Sequence, residues 1–505
     1  MSSRFFPEET QTLAMRLATF ILLLGFLGAD LSHARSLPIP QARSPVHRGE
    51  ALSFSLNRHV VLGLFYRGKY VEALQLLNSL HGKDAKDKEL RKVLEATVLE
   101  ISGMTTYSTG KFLFLYEPGI DELLLPYVSQ AAEKQYSFLA GFFNHEPPTP
   151  VRVEIVPTYQ GFSALTGIDA NTLRRVGATG MCKFGKIVIL SPSALPAGYP
   201  YVHTLAHELV HYFLLSIASD FLPRWFHEGV ATYLERVWAG EPRGRLSAPM
   251  ASLLYEAVVL SKLISPERIK GETIEAQSPR EAFLTYAQLA AFFAFLEMRF
   301  GEDIIPKLVM AASSIGNIDQ AFVRITSVSW RNLWGGFGRE MASFALKRQH
   351  LPSITWFDDS ITALRGLSPE VESEIRLGDV YYAAKNFVLA IEHYMKAREL
   401  SQGKEDPVLI YRLARTLLDN GEAKKAMEIL SSCEISPDDF LPLWREWGRA
   451  LFYTQRFEEA KTYLLHFLWT NPYDKVAHEL LAETYARLGD RDGQELETKL
   501  SLMCE

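Results

Sequence analysis

The segment HTLAHELVHY, residues 203–212, contains the pattern H-E-x-x-H at His207, Glu208 and His211. In a helix, residues four positions apart lie on one face, so the imidazoles of His207 and His211 can hold one metal ion between them. Glu208 follows the first histidine directly, which places its carboxylate beside the open position of the metal. There it can accept a proton from bound water. The segment therefore predicts a hydrolytic metal centre on a helix.

The residues around this pattern are mostly apolar, and they predict that the helix is buried in a domain core. They are Leu205, Ala206, Leu209, Val210, Phe213, Leu214 and Ile217. Polar groups without partners in an apolar interior cost several kcal/mol. The two histidines and the glutamate therefore need a partner, and a metal ion supplies one.

A second predicted helix supplies the third metal ligand. The segment RWFHEGVATYLE, residues 224–235, follows an irregular turn that ends at Pro223. Two antiparallel helices joined by such a turn can bring Glu228 across from the histidine pair, which gives a His2Glu zinc set. Glu235 lies on a similar face of this helix and is the reserve third ligand.

The second helix carries the run Pro-x-Trp-x-x-Glu-Gly-x-Ala, formed by Pro223, Trp225, Glu228, Gly229 and Ala231. Together with H-E-x-x-H, this run resembles the gluzincin metallopeptidases, in particular the peptidase-MA-like domains of bacterial envelope proteins. The resemblance covers about residues 105–310. It implies one Zn²⁺ bound by His207, His211 and Glu228, with Glu208 as the general base of peptide-bond hydrolysis.

A later helix, Phe283 to Phe300, resembles the Tyr-Ala-x-Ser helix and the following Tyr-Gly turn of the same family. Tyr286 stands at the position of the tyrosine, Leu289 replaces a residue that is usually small, and Phe300-Gly301 replaces Tyr-Gly. In this reading Tyr286 donates a hydrogen bond to the oxyanion that forms when water attacks a carbonyl. The alternative is an ordinary core tyrosine.

Three further residues near the motifs have open roles. His203 lies one turn before His207 and is interpreted as an outer contact of the centre or a wall of the cleft rather than a ligand. His227 adjoins Glu228 and is interpreted as a transition-state contact or a surface residue. Asp220 either orients a ligand histidine or is a solvated loop residue.

Residues 105–345 are predicted to form one α+β domain of the gluzincin type, with a small mixed sheet and the active-site helices. Strands are predicted at Phe112–Tyr116, Val151–Val156 and Lys186–Leu190, and helices at Leu123–Phe143 and Leu253–Leu263. The sheet resembles the one that gluzincins place over their cleft, where an edge strand can pair with an extended peptide. The segment Gly185–Ser191 is the expected edge strand.

Residues 374–505 show an internal repeat with an interval of about 34 residues, the signature of tetratricopeptide repeats. Small residues recur at two positions of the repeat. The first series is Gly378, Ala414, Gly448 and Ala482, and the second is Ala390, Ala426 and Ala460. An all-α solenoid with a concave face for proteins or peptides is predicted here. A related helical pattern at 51–104 is expected to pack on the next domain, and 346–373 is the predicted linker.

The N-terminal region has the pattern of a secretory signal peptide at residues 1–34. Leu17 to Leu27 is an apolar core that follows Arg16, and Ser32-His33-Ala34 predicts cleavage after Ala34. An uncleaved anchor is the alternative. An extended leader at 35–50 follows, and no later segment is predicted to cross a bilayer. The pattern predicts export, with a bacterial periplasm or cell envelope as the destination.

The composition fits a globular protein of two or three domains, with 505 residues of which 48% are hydrophobic. A net charge of -6 gives no sign of a nucleic-acid surface. The three cysteines are Cys182, Cys433 and Cys504, and they imply no disulfide framework.

The sequence therefore predicts a zinc metallopeptidase that acts on peptide or protein substrates and recruits protein clients through its repeats. Two alternatives remain. One is a non-catalytic envelope binding or assembly scaffold that uses the repeats, with a structural zinc. The other is a chaperone-like factor that both holds and trims its clients.

Overall fold

The computed structural model describes residues 49–80, 85–183, 185–196, 198–269, 278–345, 368–401, 406–432, 437 and 440–504. The predicted signal peptide, most of the leader, most of the linker and Cys433 lie outside these residues. The described residues form two compact units, one within 49–194, 201–246 and 253–345 and the other within 195–200, 247–252 and 368–504. Within the described ranges, no helix combines the length and apolar character that a membrane crossing requires.

The first unit begins with three helices, α1 (Gly49–Tyr66), α2 (Tyr70–Ser79) and α3 (Ala85–Ile101). Gly68 joins α1 to α2 with a φ of 72°, a left-handed conformation that favours glycine. Buried Tyr70 contacts the sheet through Glu154 and Lys186. Thr97 of α3 donates a hydrogen bond to the carbonyl of Ala164 at 2.7 Å. These helices therefore pack on the α+β part of the unit.

The sheet has five strands in the order β1-β2-β3-β5-β4. The strands are β1 (Thr105–Ser108), β2 (Phe112–Tyr116), β3 (Val151–Val156), β4 (Gly180–Lys183) and β5 (Lys186–Leu190). The central strands β2, β3 and β5 are parallel, and each edge strand is antiparallel to its neighbour. The three central strands coincide with the three predicted strands, because long buried apolar runs give a clear sequence signal.

The prediction that Gly185–Ser191 is an edge strand is wrong. The segment Gly185–Ser191 contains β5, which lies inside the sheet between β3 and β4. Strand β4 forms a hairpin with it, with Gly180 opposite Ile189 and Lys183 opposite Lys186. Because β4 is only four residues long and contains a glycine, its sequence has no alternating pattern that identifies a strand.

One buried group of polar side chains joins the N-terminal helices to the sheet, and we call Tyr70, Arg152, Glu154 and Lys186 the sheet cluster. Lys186 Nζ lies 2.6 Å from Glu154 Oε2, and Arg152 Nε lies 2.6 Å from Glu154 Oε1. The hydroxyl of Tyr70 contacts both Glu154 and Lys186. Glu154 and Lys186 are fully buried, so they depend on one another for their electrostatic stabilisation.

Eleven α-helices follow β2 in the remainder of the described chain up to residue 345. They are α4 (Leu125–Phe143), α5 (Tyr159–Thr166), α6 (Ala170–Val176), α7 (Tyr201–Ala218), α8 (Arg224–Leu234), α9 (Ala248–Val259), α10 (Pro266–Ile269), α11 (Pro279–Phe300), α12 (Ile304–Ile315), α13 (Ile318–Thr326) and α14 (Trp330–Ala345). The predicted helix at 253–263 is shifted, since α9 begins and ends earlier in the chain.

Helices α7 and α8 position the candidate site. Helix α7 packs against β4, β5 and α4, and α8 packs against α7 and α11. The indole of Trp225 anchors α8, with its ring centroid 4.7 Å from that of Trp330. Gly229 allows α8 and α11 to approach closely, because a Cβ at this position would overlap the ring of Phe293 and lie 3.1 Å from Cβ of Leu289. The large Leu289 is therefore accommodated by a glycine on the opposite helix.

The second unit contains helices from residue 369 onward: α15 (Pro369–Ala383), α16 (Phe387–Leu400), α17 (Pro407–Asp419), α18 (Ala423–Ser432), α19 (Pro442–Tyr453), α20 (Phe457–Leu468), α21 (Lys475–Leu488) and α22 (Arg491–Met503). Consecutive helices pack in pairs. Gly378 faces the ring of Tyr394, and a Cβ on Gly448 would lie 2.7 Å from Leu464 Cδ2. The repeated small residues therefore lie at close contacts within helix pairs.

Candidate metal centre

His207 and His211 lie on one face of α7, with ring centroids 4.8 Å apart. Both rings turn Nε2 toward the same carboxylate oxygen on α8. Glu228 Oε2 lies 3.3 Å from His207 Nε2 and 3.6 Å from His211 Nε2. In a tetrahedral zinc site with bonds of about 2.0–2.2 Å, neighbouring ligand atoms are about 3.4 Å apart. Both separations from Glu228 Oε2 therefore match the spacing of ligand atoms around a single Zn²⁺.

The other ring nitrogen of each histidine has an outer partner. His207 Nδ1 lies 2.9 Å from Glu235 Oε2, and His211 Nδ1 lies 3.4 Å from His227 Nδ1. Metal-bound histidines commonly use their second nitrogen in this way, which fixes the tautomer and the ring orientation. The arrangement leaves Nε2 of both rings directed at Glu228.

The structure gives Glu235 a different place from the one expected for a reserve ligand. Its carboxylate contacts Nδ1 of His207, whereas the ligand position is on the Nε2 side. Glu235 caps the end of α8, beyond the last helical turn, so helical spacing alone misjudges its direction. Its contact with Nδ1 orients His207, a role predicted as one alternative for Asp220, whose side chain lies outside the described residues.

Glu208 lies beside the histidine pair, with potential ligand atoms of His207, Glu208 and His211 all within 4.8 Å of one another. The backbone N–H of Cys182 in β4 donates a hydrogen bond to its carboxylate. Gly180 also packs on it, because a Cβ there would lie 2.9 Å from Glu208 Oε1. Burial raises the pKa of Glu208 above its ordinary value, although the two histidines oppose this shift. Strand β4 therefore fixes the position of the predicted general base.

Tyr286 and Arg224 lie together at the same centre. Arg224 Nε is 3.3 Å from Glu228 Oε1, and Arg224 also forms a hydrogen bond with the hydroxyl of Tyr286. Burial raises the pKa of Tyr286, and the negative charge of Glu228 raises it further. Arg224 is not among the site residues predicted from the sequence. Its signal was a single cationic residue one helical turn before the predicted ligand Glu228.

His227 and His203 lie outside the converging ligand atoms. Burial and the neighbouring His211 lower the pKa of His227 to about 3, so its ring is neutral. His203 accepts a hydrogen bond from Trp238 Nε1 at 3.3 Å. The structure therefore places His227 behind His211 and His203 against an indole.

The carboxylates of Glu208, Glu228 and Glu235 surround the histidine pair. The guanidinium of Arg224 is the basic group described beside them. We call these residues, together with His207 and His211, the site cluster. Burial opposes the charged form of Glu228, but His211, hydrogen bonds from both histidines and Arg224 lower its pKa well below the usual range. For His207, burial lowers the pKa, and Glu228 and Glu235 raise it by more. The donor set and the excess of negative charge fit a divalent cation of the zinc type.

Comparisons with known proteins give distant structural relations. No family model matches the chain, and no curated protein is significantly similar to it. Native yeast LTA4 hydrolase has a TM-score of 0.33 and 12% identity, over 79% of this chain and 66% of that one. The same enzyme in complex with bestatin has a TM-score of 0.33 and 12% identity, over 80% of this chain and 67% of that one. Native leukotriene A4 hydrolase from Saccharomyces cerevisiae has a TM-score of 0.34 and 12% identity, over 80% of this chain and 67% of that one. The chain thus spans about two thirds of the length of these neighbours, and no residue role depends on the likeness.

Proposed function

We propose that this protein is a zinc-dependent metallopeptidase of the gluzincin type, with one Zn²⁺ held by His207, His211 and Glu228. The observation that carries the proposal is the convergence of Glu228 Oε2 on both Nε2 atoms, at 3.3 Å and 3.6 Å. Glu208 beside this set supports catalysis, because a purely structural metal needs no general base. A structural zinc site also usually has four protein ligands, and this set offers three.

Zinc, when bound, lowers the pKa of a water molecule and polarises the carbonyl of the substrate. Glu208 accepts the proton of the attacking water and delivers it to the leaving amine. Its raised pKa supports both steps, because a carboxylate with a pKa nearer neutrality accepts and returns a proton more readily. Tyr286 donates a hydrogen bond to the oxyanion that forms on the substrate.

The second unit is proposed to be a tetratricopeptide solenoid that recruits protein clients. The repeat interval of about 34 residues and the contact of Gly378 with the ring of Tyr394 support this assignment. The N-terminal pattern supports export to a bacterial envelope, followed by cleavage after Ala34. In this proposal, peptide or protein substrates reach the metal centre after capture by the repeats.

The function is tested by zinc content and peptide turnover, measured on the purified chain from Arg35 onward as wild type and as Glu208→Gln. We expect about one zinc per chain in both proteins and turnover of a mixed peptide library by the wild type. Loss of the general base lowers turnover by about 10²- to 10⁴-fold. A wild-type protein without bound zinc contradicts the proposal.

The competing function is a binding or assembly scaffold, which the repeat pattern favours. A scaffold binds its clients equally well as wild type and as Glu208→Gln, and it cleaves none of them. If the zinc-loaded wild type binds envelope proteins but leaves both them and the library intact, the scaffold replaces the peptidase as the better description.

A further inference from the structure

Arg224 is the first residue of α8 and lies one helical turn before Glu228. Its Nε is 3.3 Å from Glu228 Oε1, whereas Oε2 of the same carboxylate faces the two histidines. The two oxygens of Glu228 therefore have separate tasks. A cation that holds Oε1 restricts rotation of the carboxylate and keeps Oε2 in the ligand position.

Arg224 has a second partner across the site, the hydroxyl of Tyr286 on α11. A guanidinium only donates hydrogen bonds, so the phenolic oxygen is the acceptor in this contact. The hydrogen of the phenol is therefore left to donate to another group.

We propose that Arg224 is the positioning residue of this centre: it fixes Glu228 as a one-oxygen ligand and holds the phenol of Tyr286 ready to donate to an oxygen of the substrate. The inference rests on the proposed function, since it assigns Arg224 a task at the same zinc site. The rigid fork of a guanidinium can reach two acceptors at once. A lysine has a single terminal nitrogen and replaces the charge without the fork.

An ordinary ion pair is the competing explanation, and it makes different predictions. The side chain of Arg224 is 39% exposed, and exposed ion pairs contribute little to stability. If Arg224 only balances the charge of Glu228, Lys is an adequate replacement and Tyr286 is unaffected. If Arg224 positions both Glu228 and Tyr286, a lysine at position 224 can hold only one of them.

The test uses four variants of the full chain from Arg35 onward: Arg224→Gln, Arg224→Lys, Tyr286→Phe and the double variant Arg224→Gln/Tyr286→Phe. Arg280→Gln is the matched control, because Arg280 lies on α11 in an exposed ion pair with Glu256. The readouts are the zinc dissociation constant from competition with a chelator, the visible spectrum of the cobalt-loaded protein, and kcat and KM for a library peptide. Thermal unfolding checks that each variant is folded.

We expect Arg224→Gln to weaken zinc binding by about 10- to 100-fold and to change the cobalt spectrum, as losses of outer contacts to metal ligands do. Tyr286→Phe should keep the zinc affinity within about twofold and lower kcat with little change in KM, because its contact forms in the transition state. The double variant should have a kcat no lower than that of Arg224→Gln alone, since both changes remove the same interaction. Arg224→Lys should retain most zinc affinity and lose kcat as Tyr286→Phe does.

Zinc affinity and a cobalt spectrum that are unchanged in Arg224→Gln overturn the inference, and so does tighter zinc binding. Additive losses of kcat in the double variant overturn the link to Tyr286. These outcomes differ from failure of the proposed function, in which the wild type itself binds no zinc. The metal readouts also need no substrate, so they decide the role of Arg224 toward Glu228 separately from turnover.

Discussion

The first unit contains two buried groups of charged side chains, the sheet cluster and the site cluster, and they are balanced in different ways. In the sheet cluster, each oxygen of Glu154 meets a cation, Lys186 on one side and Arg152 on the other. In the site cluster, three carboxylates meet one guanidinium, and two imidazole nitrogens converge on a carboxylate that the guanidinium already contacts. The first group is satisfied by its own members, whereas the second favours an added divalent cation.

This difference distinguishes a structural charge cluster from a functional one. A buried ion pair with matched partners contributes to stability only through its own geometry, and its loss is costly because one charge is left alone. A buried cluster whose imidazole and carboxylate atoms converge at the spacing of metal ligands instead gains stability from a bound divalent cation. Disruption of the two clusters should therefore give different results in stability and in metal binding.

The largest expected effect is on stability in the sheet cluster. Glu154→Leu leaves Lys186 buried without a carboxylate, and we expect the free energy of unfolding to fall by about 3–5 kcal/mol. Urea unfolding measures the change. Glu72→Leu, which removes an exposed partner of Lys69, should change it by less than about 0.5 kcal/mol. Equal effects of the two substitutions contradict the assignment of the sheet cluster as a structural element.

The next effect concerns metal removal from the site cluster. Free zinc at about 100 times its dissociation constant should raise the free energy of unfolding by about 3 kcal/mol, and chelation should reverse the change. His211→Ala should abolish this stabilisation. His145→Ala, which removes a contact with Ser216 on the same helix α7, should keep it. Zinc stabilisation that survives in His211→Ala means that the ion binds elsewhere.

A smaller effect is expected where β4 meets Glu208. In Gly180→Ala the added Cβ would lie 2.5 Å from Thr204 Cγ2 and 2.9 Å from Glu208 Oε1, so the carboxylate has to move. We expect kcat to fall by about 10- to 100-fold, because small displacements of a catalytic group are costly. Gly141→Ala is the control, since its Cβ would meet no atom within 4 Å. An unchanged kcat would show that β4 does not position Glu208.

The last expected effect is confined to alkaline solution, where a pH dependence of stability distinguishes Lys183 from the charged residues of the sheet cluster. Burial, followed by the neighbouring charge of Lys186, lowers the pKa of Lys183 from 10.5 to about 8. Between these values the unfolded chain binds more protons than the folded one, so the contribution of Lys183 to stability rises with pH. Urea unfolding at several pH values should show this rise for the wild type relative to Lys183→Met. If the free energies of unfolding of the two proteins change with pH in parallel, the pKa of Lys183 is not lowered.

The sequence predicted the parts of the site that depend on local spacing. H-E-x-x-H places His207 and His211 on one helical face whatever the surroundings, and the three central strands have strong apolar patterns. Arg224, Glu235 and β4 were missed or misassigned because their roles depend on how α8 and the edge strand meet α7. Such contacts between elements are set by tertiary packing, and helical periodicity does not give the direction of a residue at a helix end such as Glu235.

The close contact of Gly229 with Phe293 and Leu289 has a consequence for the evolution of this chain. A larger residue at position 229 fits only after position 293 has become smaller, because packed interiors have no spare volume. The order of substitutions along any lineage that keeps this backbone is therefore restricted, and positions 229 and 293 should vary together. A sequence that combines alanine at 229 with phenylalanine at 293 should be rare, since helix α8, which bears the proposed ligand Glu228, would have to shift.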